Sequence, residues 1–379
     1  MRNSELTLTG LALLPDGVIS EATIHISNGT ITQVSRGADP QADIQTTGTI
    51  LPGFIDLQLN GAFGYDFTLN GASVAAVSER LPSTGVTSFI PTIITSPFKD
   101  YPVRLSEIAG AMQIAKGAQP LGVHLEGPYL NPAKRGAHDA AYMRPIDLDE
   151  ILGWADPALV RIVTLAPELP GALEAIRALR NNGITVSLGH SNATLEQANA
   201  GFEAGANWAT HLYNAMSPPH HREPGLTGAI LTSSVPCGLI PDGVHVHPSM
   251  VNLAFHAKGV NGITLVTDAM EALGMPSGIY RLGDREVHVS EDRVQLADGT
   301  LAGSKIEMDA AVRNMMAFSG CTLAQAASMA SLIPAQVLGL DRKGAIGPGY
   351  DADLVILDQT LHVSLTIVAG KLSFERSPV

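Results

Sequence analysis

Four polar residues follow apolar stretches of the sequence, each where a stretch ends: Glu126, His190, His211 and Asp268. If the stretches are strands of one parallel barrel, their carboxyl ends share a mouth and these side chains come together there. Imidazole nitrogens and carboxylate oxygens bind the divalent cation of hydrolytic sites, which also need an open position for water and a carboxylate that moves protons. The pattern therefore predicts a metal-centred pocket at one mouth of a barrel.

Glu126, His190 and His211 are the predicted metal ligands. A glutamate that ends an apolar strand and precedes a Gly-Pro pair is a buried charge, which is costly unless it is paired or bound to a cation. Each histidine is followed by small polar residues of the kind that line a pocket. The alternative is that these are ordinary core residues whose hydrogen bonds are satisfied by neighbours.

Asp268, after the eighth apolar stretch, is predicted to move protons rather than to hold the metal. A carboxylate within hydrogen-bond distance of water activated by a metal can accept its proton and pass it on. A helix cap or a structural ion pair is the alternative. His245, in the segment DGVHVHP (242–248), lies in a loop beyond the seventh strand. We interpret it as a hydrogen-bond donor to substrate, and a metal pair with His247 is the alternative.

Arg222 lies in HHREPG (220–225), the densest cationic patch near any strand end. Because a guanidinium binds phosphate through two parallel hydrogen bonds, Arg222 is the candidate for an anionic group on a substrate. A solvated loop is the alternative interpretation.

The elements that position these residues follow a barrel pattern. Apolar stretches alternate with helical patterns at a spacing of roughly 25 to 40 residues, which is typical of a (β/α)8 barrel, a TIM barrel of the α/β class. The predicted strands are Phe54–Leu59, Thr87–Ile94, Leu121–Glu126, Arg161–Ala166, Thr185–His190, Trp208–His211, Cys237–Asp242 and Ile263–Asp268. Strand-like patterns at both chain ends predict a small β-sandwich domain from residues 1–52 plus 345–379, with the barrel at 53–344.

Composition narrows the class of protein. The chain has 379 residues, 45% of them hydrophobic, and a net charge of −13. An acidic surface argues against nucleic acid or an anionic membrane as partner, although local cations can still bind a small phosphorylated molecule. Two cysteines give no disulfide framework, and no stretch reaches the roughly 18 apolar residues of a membrane span. We expect a cytoplasmic protein.

Several long motifs make the chain similar to a known family. They are PGFIDLQLNG (52–61), HLEGPY (124–129), GHSNAT (189–194), THLYNAM (210–216), DGVH (242–245), TD (267–268), LAGS (301–304) and GAIGPGYDADLV (344–355). The chain resembles the amidohydrolase superfamily and, within it, the N-acetylglucosamine-6-phosphate deacetylases, over nearly its whole length. The resemblance implies hydrolysis of the acetamide of a phosphorylated, N-acetylated amino sugar.

The resemblance also implies roles for individual residues. Glu126, His190 and His211 would hold one divalent metal per subunit, most often Zn2+, with Fe2+, Mn2+ and Co2+ as alternatives. Asp268 would be the acid/base, and His245 would contact the substrate near the acetamide. The substrate-binding residues implied are Ala137, His138, Asn214, Ala215, Arg222, His245, Leu301, Ala302 and Gly303. In this family the loop that carries the arginine can come from a neighbouring subunit, so a homodimer is expected.

Two details qualify the resemblance. Many amidohydrolases carry H-x-H on the first strand for a second metal, whereas this chain has Gln58 and Asn60, whose neutral amides are poor ligands for transition metals. A single-metal site is therefore expected. The segments HHREPG (220–225), DAMEALGM (268–275) and MDAAVRNM (308–315) are also similar to N-acetylgalactosamine-6-phosphate deacetylases, so the epimer stays open. Two rival functions are a cyclic-amide hydrolase or deaminase on the same barrel, and a catalytically silent sugar-phosphate sensor.

Overall fold

The computed structural model describes residues 5–377. Its strands are β1 (Glu5–Leu13), β2 (Ile19–Ser27), β3 (Thr30–Arg36), β4 (Ile44–Pro52), β5 (Phe54–Leu59), β6 (Gly61–Ala62), β7 (Tyr65–Asp66), β8 (Val86–Ile94), β9 (Gln119–Pro120), β10 (Val123–Glu126), β11 (Val160–Leu165), β12 (Thr185–Leu188), β13 (Trp208–Ala209), β14 (Cys237–Leu239), β15 (Ile263–Leu265), β16 (Gly278–Leu282), β17 (Arg285–Val289), β18 (Val294–Gln295), β19 (Leu354–Leu357), β20 (Val363–Val368) and β21 (Lys371–Glu375).

The α-helices lie mainly between the barrel strands and after the last of them. They are α1 (Val74–Arg80), α2 (Tyr101–Ile114), α3 (Leu148–Trp154), α4 (Ala172–Asn181), α5 (Leu195–Glu203), α6 (Gly225–Thr232), α7 (Pro248–Lys258), α8 (Met308–Ser319), α9 (Leu323–Ala330) and α10 (Leu332–Val337). Two of them begin with a capping box, at Thr194 and at Thr322, in which the threonine side chain and a glutamine three residues later bond each other's backbone.

Both ends of the chain build one small β domain. Its strands are hydrogen-bonded in the order β21-β20-β19-β4-β1-β2-β3, and β4 joins the two ends of the chain by pairing antiparallel with β19. Alternation along β19 explains its position, because Leu354 and Ile356 pack inside this domain while Val355 and Leu357 join the core of the barrel. The predicted division of the chain at residues 52 and 345 stays a prediction, and residues 1–4 and 378–379 lie outside the described residues.

Eight parallel strands form the barrel, in the order β5-β8-β10-β11-β12-β13-β14-β15. All eight predicted strands are present, and the predicted fold class, a (β/α)8 barrel with a small β-sandwich domain from both chain ends, is confirmed. The strands are buried along their length, as expected for a parallel sheet covered by helices.

The barrel closes between β15 and β5 through residues that follow β15. Asp268 N donates to Gln58 O at 2.9 Å, and Asn60 N donates to Ala269 O at 2.8 Å. Lower in the seam, the buried carboxylate of Asp56 accepts from the hydroxyl of Thr267 at 2.5 Å and from its backbone N–H at 3.3 Å. The residues next to Asp268 are therefore held in place by barrel closure itself.

A small three-stranded sheet, β16-β17-β18, lies beside the barrel mouth. Its inner face forms an apolar cluster that includes Leu282, Val287 and Ile94, the last residue of β8. Asp66 ties the hairpin to the barrel, because its carboxylate accepts from the N–H of Gly283 at 2.8 Å. Within residues 5–377, no helix is both long enough and apolar enough to cross a membrane.

Candidate active site

The side chains of Glu126, His190 and His211 meet at the mouth of the barrel. Glu126 Oε1 lies 3.1 Å from Nε2 of His190 and 3.1 Å from Nε2 of His211. The two Nε2 atoms are themselves 3.1 Å apart, so the three atoms form an equilateral triangle. All three residues are buried, with 2 to 4% of their surface exposed. The three predicted ligands, from strands far apart in sequence, are thus brought together.

The loop after β10 orients His190. His190 Nδ1 lies 3.0 Å from the carbonyl oxygen of Lys134, and because a carbonyl only accepts, Nδ1 carries the proton. Nε2 is then the ring nitrogen that faces the triangle, which is the arrangement of a metal-binding histidine whose other nitrogen is hydrogen-bonded. The Nδ1 atom of His211 is buried and has no hydrogen-bond partner within residues 5–377.

The triangle fits a divalent cation. Ligands about 2.0–2.1 Å from a tetrahedral zinc ion lie roughly 3.3 Å from one another, close to the separations here. Three buried ligand-type atoms converge at 3.1 Å from one another, and a cation placed between them would satisfy all three at once. Two nitrogens and one carboxylate oxygen, with room on the pocket side, are also the donor set of catalytic zinc sites.

Electrostatics keep the carboxylate of Glu126 ionised. Burial raises its pKa, but contacts with the imidazoles of His190 and His211 lower it more, and the net pKa lies well below the ordinary value. Gln58 Nε2 also donates to Glu126 Oε1 at 3.0 Å. The amide of Gln58 therefore supports the acidic ligand from the position where many amidohydrolases place a metal-binding histidine.

Asp268 lines the same pocket from the seam between β15 and β5, where the barrel closes. Its Oδ1 accepts from Asn60 Nδ2 at 2.8 Å, and its side chain is buried. The pKa of Asp268 is raised to about 6, mainly by burial and also by the negative charge of Glu126, while His211 opposes the rise. A carboxyl group with a pKa near neutrality can both accept and return a proton.

His138 stands one step outside the triangle. Its Nε2 lies 3.8 Å from Glu126 Oε2. One ring nitrogen of His138, one of His190 and a carboxylate oxygen of Glu126 all lie within 4.8 Å of one another and could hold a metal. The shorter 3.1 Å contacts favour His211 as the third ligand. Burial lowers the pKa of His138 to about 3, so its ring is neutral at neutral pH, and its Nδ1 lies 2.9 Å from Thr95 Oγ1.

The pocket extends outward from the triangle as a cavity of about 260 Å³. His245 lines it from the loop after β14, and the carboxylate of Asp242 binds the Nδ1 atom of this histidine at 2.7 Å. The lining residues are Asn60, Ile94, Glu126, Gly136, Ala137, His138, His190, His211, Asn214, Ala215, His245, Asp268, Leu282, Thr300, Leu301 and Gly303.

Two of the predicted substrate-binding residues lie elsewhere. Arg222 is exposed on its loop, where its guanidinium contacts His221 at 2.9 Å, and it does not line the cavity. Ala302 is buried in the apolar cluster under the three-stranded sheet and does not reach the cavity. His247 caps α7, accepting from the N–H of Ser249 at 3.2 Å, as expected of a structural residue.

Some residues of the cavity wall were not predicted from the sequence. Ile94, Leu282 and Thr300 line the cavity, yet as single apolar or hydroxyl residues in a strand, a hairpin and a turn they carry no motif. Asn60 could have been included, because it occupies one of the two H-x-H positions, which face the same mouth as Glu126, His190 and His211.

Comparisons with known proteins identify the family. The family described as the amidohydrolase family matches residues 49–373. N-acetylglucosamine-6-phosphate deacetylase of Bos taurus is 42% identical over 394 residues, covering 98% of this chain and 96% of the relative. The enzyme of the same name from Bacillus subtilis (strain 168) is 38% identical over 97% of both chains.

Solved structures match over the same extent. N-acetylglucosamine-6-phosphate deacetylase from Thermotoga maritima superposes with a TM-score of 0.90 at 35% identity, covering 97% of this chain and 98% of that one. A mutant of the Mycobacterium smegmatis enzyme in complex with N-acetyl-D-glucosamine-6-phosphate superposes with a TM-score of 0.92 at 35% identity, covering 98% and 99%. By its sequence, its fold and the side chains at its barrel mouth, the chain belongs to the amidohydrolase family.

Proposed function

We propose that this protein hydrolyses the acetamide of N-acetylglucosamine 6-phosphate, giving glucosamine 6-phosphate and acetate. The observation that carries the proposal is the triangle of Glu126, His190 and His211 beside the buried carboxyl group of Asp268 in one pocket. Relatives that share this chain's full length are N-acetylglucosamine-6-phosphate deacetylases, and one was crystallised with that sugar phosphate.

We further propose one divalent cation per chain, with Zn2+ as the metal. The donor set of two nitrogens and one carboxylate oxygen supports zinc, and the neutral amides of Gln58 and Asn60 support a single ion. When bound, such a cation polarises a carbonyl group and makes water more acidic. Glu126, His190 and His211 are the residues that would hold it.

Asp268 has the position and pKa of a proton carrier. It accepts one proton from the attacking water as the water oxygen bonds to the acetyl carbon. It then gives that proton to the nitrogen of the sugar as the carbon–nitrogen bond breaks, so that acetate and the amine leave. Asn60 holds Asp268 Oδ1 at 2.8 Å, which leaves the other oxygen for this exchange. His245, across the cavity, is proposed to donate to the acetamide oxygen as negative charge develops on it.

The sugar end of the pocket suits a neutral ring better than a phosphate. Ala137, His138, Ala215 and Leu301 line it, and no lysine or arginine is among the cavity-lining residues of the described chain. The exposed Arg222 is therefore available to a second copy, which supports the homodimer that the family resemblance implies. The cytoplasmic location stays a prediction.

Acetate release tests the proposal directly. The protein loaded with Zn2+ is assayed on N-acetylglucosamine 6-phosphate, on the galacto epimer and on unphosphorylated N-acetylglucosamine. We expect rapid release from the first and slow release from the last. No release from N-acetylglucosamine 6-phosphate, with hydrolysis of another amide, would refute the function, and faster release from the galacto epimer would change the substrate.

The variant Asp268→Asn tests the assigned mechanism. The amide can keep the hydrogen bond with Asn60 by presenting its oxygen, so metal and substrate should still bind. Turnover should fall about 10²- to 10⁴-fold, because the proton carrier is lost. The exposed Asp341→Asn is the matched control and should keep kcat. A near-normal kcat for Asp268→Asn would show that another group moves the proton.

A further inference from the structure

The loop after β14 contains a hydrogen-bonded carboxylate–imidazole pair. Asp242 Oδ2 lies 2.7 Å from His245 Nδ1, and the two side chains are 13% and 7% exposed. The other oxygen, Oδ1, accepts from the backbone N–H of Val244 at 2.8 Å and of His245 at 2.7 Å. One carboxylate thus performs two separable tasks: Oδ1 shapes the turn, and Oδ2 holds the ring.

The pair determines which nitrogen of His245 carries its proton. An ionised carboxylate only accepts hydrogen bonds, so Nδ1 of His245 is the donor. Burial raises the pKa of Asp242, but the bonds from the side chain and backbone of His245 and from Val244 lower it more, and the net pKa is below the ordinary value. Asp242 is therefore ionised at neutral pH, and the nitrogen of His245 that remains for the cavity is Nε2.

A neutral His245 in this tautomer can accept through Nε2 but cannot donate. To stabilise negative charge on the acetamide oxygen, the ring must be protonated, and a half-buried carboxylate 2.7 Å from Nδ1 stabilises that imidazolium. The other charged groups that share a cavity with His245 are Glu126 and Asp268 in the main cavity and Glu291, Asp292 and Lys305 in the adjoining cavity. Among the carboxylates within residues 5–377, Asp242 alone lies within hydrogen-bond distance of the ring.

We propose that Asp242 is a positioning residue for the deacetylation: it sets the tautomer of His245 and stabilises its protonated form, in which Nε2 donates to the acetamide oxygen. This inference rests on the proposed function of the site. It assigns a role to a residue that does not line the main cavity and acts on the substrate through His245.

Asparagine at position 242 separates the two tasks. Asp242→Asn keeps an oxygen for the two N–H groups of the turn but places an NH2 group, or no acceptor, opposite His245 Nδ1. We expect kcat on N-acetylglucosamine 6-phosphate to fall about 10- to 100-fold, the range typical for partners that orient a functional histidine, with KM changed less than about 3-fold. Zinc content should equal that of the wild type.

A double-mutant cycle provides the readout that a purely structural role would not change. In the His245→Gln background, Asp242→Asn should cause no further loss of kcat, because Asp242 acts through the ring that has been removed. The control is Asp358→Asn, in which Oδ1 accepts from the N–H groups of Thr360 and His362 in a turn of the β domain. It should leave kcat unchanged.

Two results would overturn the inference. One is a wild-type kcat in Asp242→Asn while His245→Gln is impaired, and the other is a double variant whose loss is the product of the single losses. Nitrogen NMR of the His245 ring separates this failure from that of the proposed function, since it reports the tautomer without any substrate. Protonation at Nδ1 in the wild type but not in Asp242→Asn supports the pairing, and the same tautomer in both refutes it.

Discussion

The burial of the Asp56 carboxyl group leads to a quantitative prediction about how stability depends on pH. It lies in the closing seam of the barrel, 1% exposed, and accepts from the hydroxyl of Thr267 and from the N–H groups of Thr267 and Gln58. Burial raises its pKa from 3.8 to about 7, the hydrogen bonds opposing this only in part. Asp56→Asn replaces the group by a neutral amide of the same shape, whose oxygen can keep the two N–H bonds.

The sign and the size of this pH effect on the free energy of unfolding follow from proton linkage. Between about pH 4 and pH 7 the folded protein holds a proton on Asp56 that the unfolded chain has released, so the free energy of unfolding falls as pH rises through this window. About two pH units of this window lie above pH 5. At about 1.4 kcal/mol per unit, the free energy of unfolding therefore falls by about 3 kcal/mol between pH 5 and pH 8.5. Asp56→Asn has no such loss.

The assay is thermal unfolding of wild type and Asp56→Asn, both saturated with Zn2+, at pH 5 and pH 8.5. With an unfolding entropy of roughly 2 cal/mol/K per residue, 3 kcal/mol corresponds to roughly 4 °C for this chain. The variant should therefore gain roughly 4 °C relative to wild type on going from pH 5 to pH 8.5. The effects of the other titrating groups cancel when the change between the two pH values is compared for variant and wild type. The exposed Asp292→Asn should show no such pH-dependent difference from wild type. An equal offset at both pH values would refute the reasoning.

Three further predictions concern the metal, the phosphate and the hairpin. Glu126→Gln should lose most of its bound zinc by elemental analysis and keep its circular dichroism spectrum, while chelation of wild type should abolish acetate release until Zn2+ is added back; full activity after chelation would exclude the metal site. Arg222→Ala should raise KM for the phosphorylated sugar roughly 10- to 100-fold, since a charge-assisted hydrogen bond contributes about 1.5–3 kcal/mol, and should leave the slow reaction of the unphosphorylated sugar unchanged. Equal effects on both sugars would contradict that role. Asp66→Asn should place an NH2 group against a backbone N–H and destabilise the hairpin by about 1–3 kcal/mol, detected as faster proteolysis within residues 278–295; an unchanged cleavage rate would show that the bond to Gly283 is dispensable.

The barrel strands were predictable because each is buried on both faces and is therefore a largely apolar stretch of sequence. Strands β4 and β21 carry a weaker signal: polar residues and a glycine fill the middle of β4, and β21 has mostly exposed or half-buried side chains. Helix α6, Gly225–Thr232, gives no helical period in the sequence, since six of its eight residues are buried and it has no polar face.

The side of the site formed by Glu126, His190 and His211 was predictable, and the opposite side was only partly so. Glu126, His190 and His211 share one rule, a ligand type at the end of a barrel strand, and this rule needs no knowledge of loop structure. The opposite wall comes from the three-stranded sheet, whose approach to the mouth depends on contacts such as the one between Asp66 and Gly283. No local pattern encodes such a distant contact, which is why Leu282 and Thr300 were not selected.

The backbone at the strand ends explains why several predicted strands extend beyond the observed ones, and it gives separate support for the site. The ladder of β12 ends at Leu188, two residues before His190, and that of β15 ends three residues before Asp268. His190, His211 and Asp268 have φ values of 48°, 24° and 49°, in the left-handed region that costs a non-glycine residue about 1–3 kcal/mol. Of the nine non-glycine residues with positive φ in the described chain, four line the cavity, the fourth being Ala215. A left-handed backbone conformation lets the main chain turn away from the barrel while the side chain still points towards the barrel axis. Selection for stability alone would place glycine at such positions, so keeping imidazoles and a carboxylate there indicates that the fold tolerates strain in order to hold these groups together.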